Sequence, residues 1–262
     1  VTIPGCLAVL LSLLLALAPV SALAGNSRML ISTDPLMRGL DLASRKYPDE
    51  AAVEFDKCKD LSRATAHQLR IIAQTYYDAG HTSSSLVVIA FAISQEKVKR
   101  EKEDMRALLD LRGNVYAYQN RRDEAISSYE QAAAIDPKAA GYFLPKAGKE
   151  MMKIKKYKEA IPLLKTGIIP GTMNGFSYQD IGDCYLELKQ PAQAIEPLTT
   201  SIRIFVDYRT RDHDAYMPAL VQSYKYLIRA YKETGHKKEA TIWQKRLDSL
   251  IGNLDDYLFG DP

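Results

Sequence analysis

Two patterns of apolar and polar residues divide the chain. From Cys6 to Ala24 no residue is charged, and leucine and alanine dominate. Beyond that run, small and large apolar residues recur among polar ones at fixed intervals. Small residues stand at Ala51, Ser85, Ala125, Ala160, Ala194 and Ala240, with gaps of 34, 40, 35, 34 and 46 residues. This is a period of 34 with insertions of 6, 1 and 12 residues. Twelve residues before each lies a second marked place: Gly39, Ala73, Gly113, Gly148, Gly182 and Ile228. Large residues such as Phe55, Ile89, Tyr129 and Leu198 follow the small ones by four. Small side chains let two helix backbones approach, and large ones fill the space between them. Self-similarity at such a period marks stacked repeats, each covering the apolar face of its neighbour.

Local signals place the helix ends. Ala79 to His81, Asn120 to Asp123 and Thr234 to His236 read as turns between helical runs. Asp34 and Pro35 read as the N-cap and first residue of a helix, and Pro191 opens another. Pro162 and Pro197 fall inside helical runs, where bends are expected. Ile169, Pro170 and Gly171 are expected to stop a helix early, leaving a mobile loop from Thr172 to Gly175.

The third unit carries the pattern most fully, with Leu109, Gly113, Tyr116, Ala125, Tyr129, Ala132 and Pro137. Their spacing resembles the tetratricopeptide repeat, the helix–turn–helix unit of solenoid proteins. The resemblance implies an all-α fold, a right-handed superhelical solenoid of six repeats. They span 32–65, 66–99, 106–139, 141–174, 175–208 and 221–254. Residues 255–262 are expected to form a short capping helix, with Trp243 packed beneath it.

Composition changes this picture at the N-terminus. Ala22 and Ala24 fit a cleavage site after the apolar run, so residues 1–24 read as a signal peptide and 25–31 as a linker. The alternative is an uncleaved membrane anchor, although about 18 apolar residues is at the short end for a span. Either reading implies an exported chain, periplasmic or secreted. The 35 basic and 32 acidic residues leave a net charge of only +3, which argues against nucleic acid as a partner. Three cysteines exclude a disulfide scaffold, and Cys58 and Cys184 read as small buried residues on helix-packing faces.

No motif pairs a nucleophile with a base, and none cradles a phosphate. His81 and His236 follow turn glycines. Asp212, His213 and Asp214 lie in the 12-residue insertion and read as a solvated loop or helix cap. No enzyme activity, metal or cofactor is therefore expected.

The resemblance implies protein or peptide binding in a concave groove lined by the first helix of each unit. Carried over by position, the groove set is Arg70, Gln74 and Tyr77, then Asp110, Asn114 and Tyr118. It continues with Tyr142, Lys146, Lys149 and Lys153, then Gln179 and Asp183, then Lys225, Tyr226 and Arg229. With Asp180, Glu187 and Lys232 added, the stripe runs basic, acidic and basic. Such a stripe could hold a peptide by charge and stacking, or its neighbouring helices could pair with one another. The chaperone-tail mode of this family needs two lysines, two asparagines and an arginine. The matching window here holds Arg70, Gln74, Leu111, Tyr142 and Lys146 instead. The expected function is an exported interaction scaffold or adaptor in a cell envelope. The alternative is an envelope assembly protein that self-associates through its solenoid ends.

Overall fold

The computed structural model describes residues 33–168, 174–209 and 213–259, without the side chains of 208, 209, 213–215 and 253–259. The expected leader and its expected cleavage site lie outside them. Among the described residues all regular structure is helical, and none of the helices is long and apolar enough to cross a membrane. The chain divides into two compact units, residues 1–60 and 61–262.

The first unit holds one hairpin, α1 (Pro35–Ser44) and α2 (Pro48–Asp56). Asp34 caps α1 by accepting the Leu36 N–H at 3.0 Å, and Pro35 fills the first helical position. Gly39 sits against the Phe55 ring, which occupies the space a Cβ would need. Helix α2 stops at Asp56, so Cys58 lies past its end and is half-buried rather than on a packed helix face.

The second unit stacks five more hairpins. Helices α3 (Ala66–Asp78) and α4 (Thr82–Ser94) come first, followed by a short α5 (Glu96–Arg100). Then come α6 (Lys102–Tyr118) with α7 (Arg122–Ile135), and α8 (Ala140–Lys153) with α9 (Tyr157–Thr166). The last two pairs are α10 (Gly175–Glu187) with α11 (Pro191–Arg209), and α12 (His213–Glu233) with α13 (Lys237–Phe259). Within this unit α6, α8, α10 and α12 each pack on the hairpin before them. This is the tetratricopeptide type of α-solenoid.

The hairpins share one turn. Lys46, Gly80, Asn120, Lys155, Lys189 and Gly235 all have φ between 60° and 81°. Each stands five residues before the small residue that repeats along the sequence. In each turn the next N–H reaches back to the carbonyl five residues earlier: His81 to Tyr76 at 2.7 Å, Arg121 to Tyr116 at 2.8 Å, Gln190 to Tyr185 at 2.8 Å. This closure satisfies the last carbonyls of the first helix and requires a left-handed residue. Glycine takes that conformation freely, and a side chain adds about 1 kcal/mol or more. The three lysine turns gave no sequence signal for this reason.

Within hairpins, the marked glycines work as the spacing predicts. A Cβ added at Gly113 would lie 2.5 Å from the Tyr129 ring, and one at Gly148 would lie 2.9 Å from Leu164. Gly182 meets Leu198 in the same way. In the second hairpin Ser85 replaces alanine, and its buried hydroxyl donates to the Ala73 carbonyl at 2.8 Å.

Helices α9 and α11 continue through Pro162 and Pro197. Helix α9 ends at Thr166, ahead of the predicted stop, and Gly175 already belongs to α10. Residues 169–173, which include Thr172 and Met173, lie outside the described residues. Most of the 12-residue insertion is helical rather than loop. It lengthens α12, because Tyr216, Met217 and Leu220 provide an apolar face that packs with Phe205. The Phe205 and Tyr216 rings stack at 6.2 Å, and Phe176 meets Phe205 edge-on at 5.0 Å. The side chains of Asp212, His213 and Asp214 are outside the described set. The expected capping segment is helical to Phe259 as a direct continuation of α13, not a separate helix. Trp243 packs on Tyr224 of α12 at 5.6 Å, with Arg246 over its ring at 4.5 Å.

Candidate interaction surface

The first helices α3, α6, α8, α10 and α12 carry the predicted groove set, and the structure shows what each side chain does there. Most of the charges pair with the neighbouring repeat. Arg70 donates to Asp104 at 2.8 Å and also meets His67 Nδ1 at 2.8 Å. Lys146 reaches Asp110 at 2.6 Å. Lys149 lies 3.5 Å from Asp180, and Arg229 donates to Glu187 at 2.8 Å and Glu233 at 2.7 Å. Lys153 pairs with Glu150 at 2.6 Å, and Glu150 also accepts from Arg122 at 2.6 Å. Paired charges of this kind fix how one helix sits on the next and contribute modestly to stability.

Other members of the set are also engaged. Gln74 donates to Asp78 at 2.7 Å. Asn114 accepts from the Tyr129 hydroxyl at 2.9 Å, and burial pushes that phenol's pKa up. Tyr226 stands beside Asp183, whose pKa burial raises. Gln179 does not face the groove. It is only 8% exposed and donates to the Ala219 carbonyl at 2.8 Å and to Ser223 at 2.9 Å. Ser223 in turn meets Ser201 at 2.9 Å, and Ser201 bonds the Gly175 carbonyl at 2.9 Å. This buried chain joins α10, α11 and α12. A buried amide without partners costs about 1–3 kcal/mol, so the network holds α12 in one register.

Asp180 is the outlier. One carboxylate oxygen is buried with no hydrogen bond, and the Lys149 ammonium at 3.5 Å is a long ion-pair contact. Burial pushes the carboxyl pKa up to about 6, with Asp183 adding to the rise and Lys149 opposing it. Cys184, one turn further along α10, is fully buried, and its thiol is pushed up to about 12 by burial and by Asp183 and Asp180. A thiol held so far from ionisation is a packing residue and a poor nucleophile. Among the described residues no group of three or more histidines, cysteines or carboxylates could hold a metal ion.

The rings are what remain available. Tyr118 is 73% exposed, Tyr142 is 59% and Phe176 is 39%. Tyr118 meets Tyr77 edge-on at 6.4 Å near the C-terminal ends of α6 and α3. Tyr142 and Phe176 stand at the second place of their repeats, on α8 and α10. Lys146 lies 4.4 Å over the Tyr142 ring, and Lys149 lies 5.5 Å over Phe176. These contacts are cation–π pairs that hold the rings in place. Beside Tyr142 a cleft of about 270 Å³ opens between α6 and α8, with Ala107 and Phe143 in its lining. Phe176 was absent from the sequence-based set, although it shares its repeat place with Tyr142. Lys225 is exposed and has no ion pair among the described residues.

Comparisons with known proteins agree on the fold. The tetratricopeptide repeat model matches residues 107–139, the third hairpin. No curated protein matches the chain in sequence. Solved structures do match in fold. BtubC (BKLC) from P. vanneervenii is 20% identical, with a TM-score of 0.61, covering 87% of this chain and 94% of its own. The MamA protein is 18% identical, with a TM-score of 0.59, covering 75% of this chain and 96% of its own. The C-terminal part of a TPR repeat-containing protein from Cytophaga hutchinsonii is 16% identical, with a TM-score of 0.56, covering 82% and 88%.

Proposed function

We propose that this tetratricopeptide-repeat solenoid is a protein-interaction scaffold that takes a partner segment across its first-helix face. The observation that carries this reading is the exposure of Tyr118 and Tyr142 on adjacent first helices, while most charges around them are paired within the solenoid. Tyr77 and Tyr118 stand at one end of these helices, and Tyr142 and Phe176 at the other. Eleven helical residues separate the two levels, roughly 16 Å along the axis. A bound segment crossing the face meets both aromatic rims. Aromatic side chains supply large contact area at low entropic cost, so they dominate binding energy at such surfaces. The paired lysines and carboxylates then serve mainly as register contacts and tune the electrostatics around the rings.

The reading extends to an exported protein. The uncharged run from Cys6 to Ala24, ending in small residues, supports a cleaved leader and an envelope or secreted setting. N-terminal sequencing of the mature protein, starting at Gly25, is the expected result. A mature chain that retains residues 6–24 contradicts cleavage.

The binding test uses a photoreactive side chain at Lys153, on the same face, with crosslinking in the cell. Substituting both Tyr118→Ala and Tyr142→Ala removes exposed rings, so the circular dichroism melt should stay close to that of the parent. The crosslinked protein partner is expected to disappear. Retention of the same partner at the same yield would sink the proposal. Reversing the charges of Lys146 and Lys149 is the weaker test, because it also breaks their pairs with Asp110 and Asp180.

A further inference from the structure

Five lysines of the second unit stand where local structure disfavours them. Lys155 and Lys189 hold the left-handed place of their turns, at φ 61° and 60°, a conformation that glycine takes freely. Lys158 lies in the first turn of α9, and Lys237 and Lys238 open α13. A helix N-terminus carries positive partial charge and favours carboxylates, so these three oppose the helix dipole. The preceding helix ends attract Lys155 and Lys189 only weakly at such exposure. All five lysines are exposed, and none has an ion pair or side-chain hydrogen bond among the described residues.

The turns that carry them are neighbours along one edge of the unit. Lys156, also exposed, reaches Asp123 beside the preceding turn at 3.3 Å. Tyr157 packs in one apolar cluster with Leu188, the C-cap of α10. Glu187, the last residue of α10, meets Arg229, one turn before the end of α12, at 2.8 Å. The turns of the last three repeats therefore lie in a row, spanning roughly 20 Å at ordinary helix spacing. From the end of each first helix to the third residue of the second, these turns hold six lysines and two carboxylates, Glu159 and Glu239. The local excess of four positive charges is larger than the net +3 of the whole chain.

We infer that this edge is an electrostatic docking surface for a bilayer rich in anionic lipids. The charge sets the sign of the partner, and the side chains around it set its kind. Protein interfaces are built on aromatic and apolar cores and are depleted in lysine, and none of the exposed large apolar residues stands on these turns. Single-stranded nucleic acid is held by stacking on rings, and specific phosphate sites by the planar fork of arginine. The three turns offer neither an exposed ring nor an arginine. Lysines are compact point charges on flexible stems, and a row of them suits a sheet of headgroups that carries many diffuse charges. The local cost of placing them there is offset when that surface is met. The edge contains none of Tyr118, Tyr142 and Phe176, so the inference is independent of the first-helix face.

The test is co-sedimentation of the full chain with vesicles of phosphatidylcholine, alone or mixed equally with phosphatidylglycerol. Tighter binding to the mixed vesicles is expected, and the difference should vanish in about 1 M salt, where the screening length is ~3 Å. Residues 6–24 are the same in every variant, so the comparison between lipids isolates the edge. Lys155→Gly with Lys189→Gly removes two charges and relieves two left-handed turns. It is expected to weaken binding to the mixed vesicles about tenfold or more while raising Tm, a combination that misfolding cannot give. Lys158→Gln with Lys237→Gln and Lys238→Gln leaves those turn residues untouched and is expected to weaken binding at least as much. Equal binding to both vesicle types overturns the inference, as does mixed-vesicle binding that neither variant changes. If poly(U) or polyglutamate binds more tightly than the vesicles through the same lysines, the edge serves nucleic acid or an acidic protein, and this too overturns it. Tyr118→Ala with Tyr142→Ala should leave vesicle binding unchanged, and its loss there would put the lipid on the first-helix face and refute the edge.

Discussion

Asp180→Asn should stabilise the protein, and the gain should depend on pH. The wild-type carboxyl has one oxygen buried without a hydrogen bond, and only 20% of its side chain is exposed. Its pKa stands at about 6 against an ordinary 3.8. The charged form is thus disfavoured in the folded state, by roughly 3 kcal/mol at full ionisation on this difference. Between these two pKa values the folded chain holds more protons than the unfolded chain. Stability therefore falls as pH rises through that window, and the loss is complete above the folded pKa. The amide of the Asp180→Asn variant cannot ionise, so the variant escapes this loss but gives up the attraction of Lys149, which already tempers the wild-type shift. A net gain on the order of 1–2 kcal/mol is expected at pH 8, shrinking towards zero near pH 4. Urea melts of both proteins at a series of pH values measure it. A difference that does not vary with pH, or a variant less stable than wild type at pH 8, refutes the burial argument and makes the Lys149 pair the dominant contact.

Two further substitutions test the hairpin itself. Gly113→Ala places a methyl 2.5 Å from the Tyr129 ring, which is buried and anchored to Asn114, so it cannot swing away. Overpacking of about 1–3 kcal/mol should outweigh the helix preference for alanine of about 1 kcal/mol, and a thermal melt should show a lower Tm. An unchanged or higher Tm would mean that the hairpin opens at little cost. At the turns the sign reverses with the residue. Gly80→Ala, at φ 75°, should lose about 1 kcal/mol, while Lys155→Gly, at φ 61°, should gain up to about that amount. The two melts moving in the same direction would contradict a common turn geometry.

The hairpin was legible because its contacts are local. Gly113 and Tyr129 are sixteen residues apart, and the turn between them has a fixed length. Any periodic small-and-large pattern at that distance reports the same packing in each repeat. The turn at Gly80 was legible from its glycine, while those at Lys155 and Lys189 were not. There the left-handed conformation is imposed by two packed helices and the hydrogen bonds that close the first one, not by the residue. Cys58 falls outside a helix because α2 ends early, and the extension of α12 over Tyr216 to Leu220 was not legible, because its helical face is completed only by Phe205 and Phe176 from elsewhere in the chain.

The interaction surface was legible only in outline. Sequence position put Lys146, Lys149, Asp183 and Arg229 on first helices, and that placement is what the fold shows. It could not say that Lys146 would meet Asp110, 36 residues away, or that Arg229 would meet Glu187, 42 residues away. Nor could it bury Gln179 under α12 or leave Lys225 without a partner. Period and residue size encode contacts within a hairpin, where the chain supplies a short and repeated connection. Contacts between hairpins depend on insertion lengths and on how each pair rotates against the last. Those quantities are set when apolar faces close over one another, and only then is it decided which charges are paired and which rings and lysines remain for a partner.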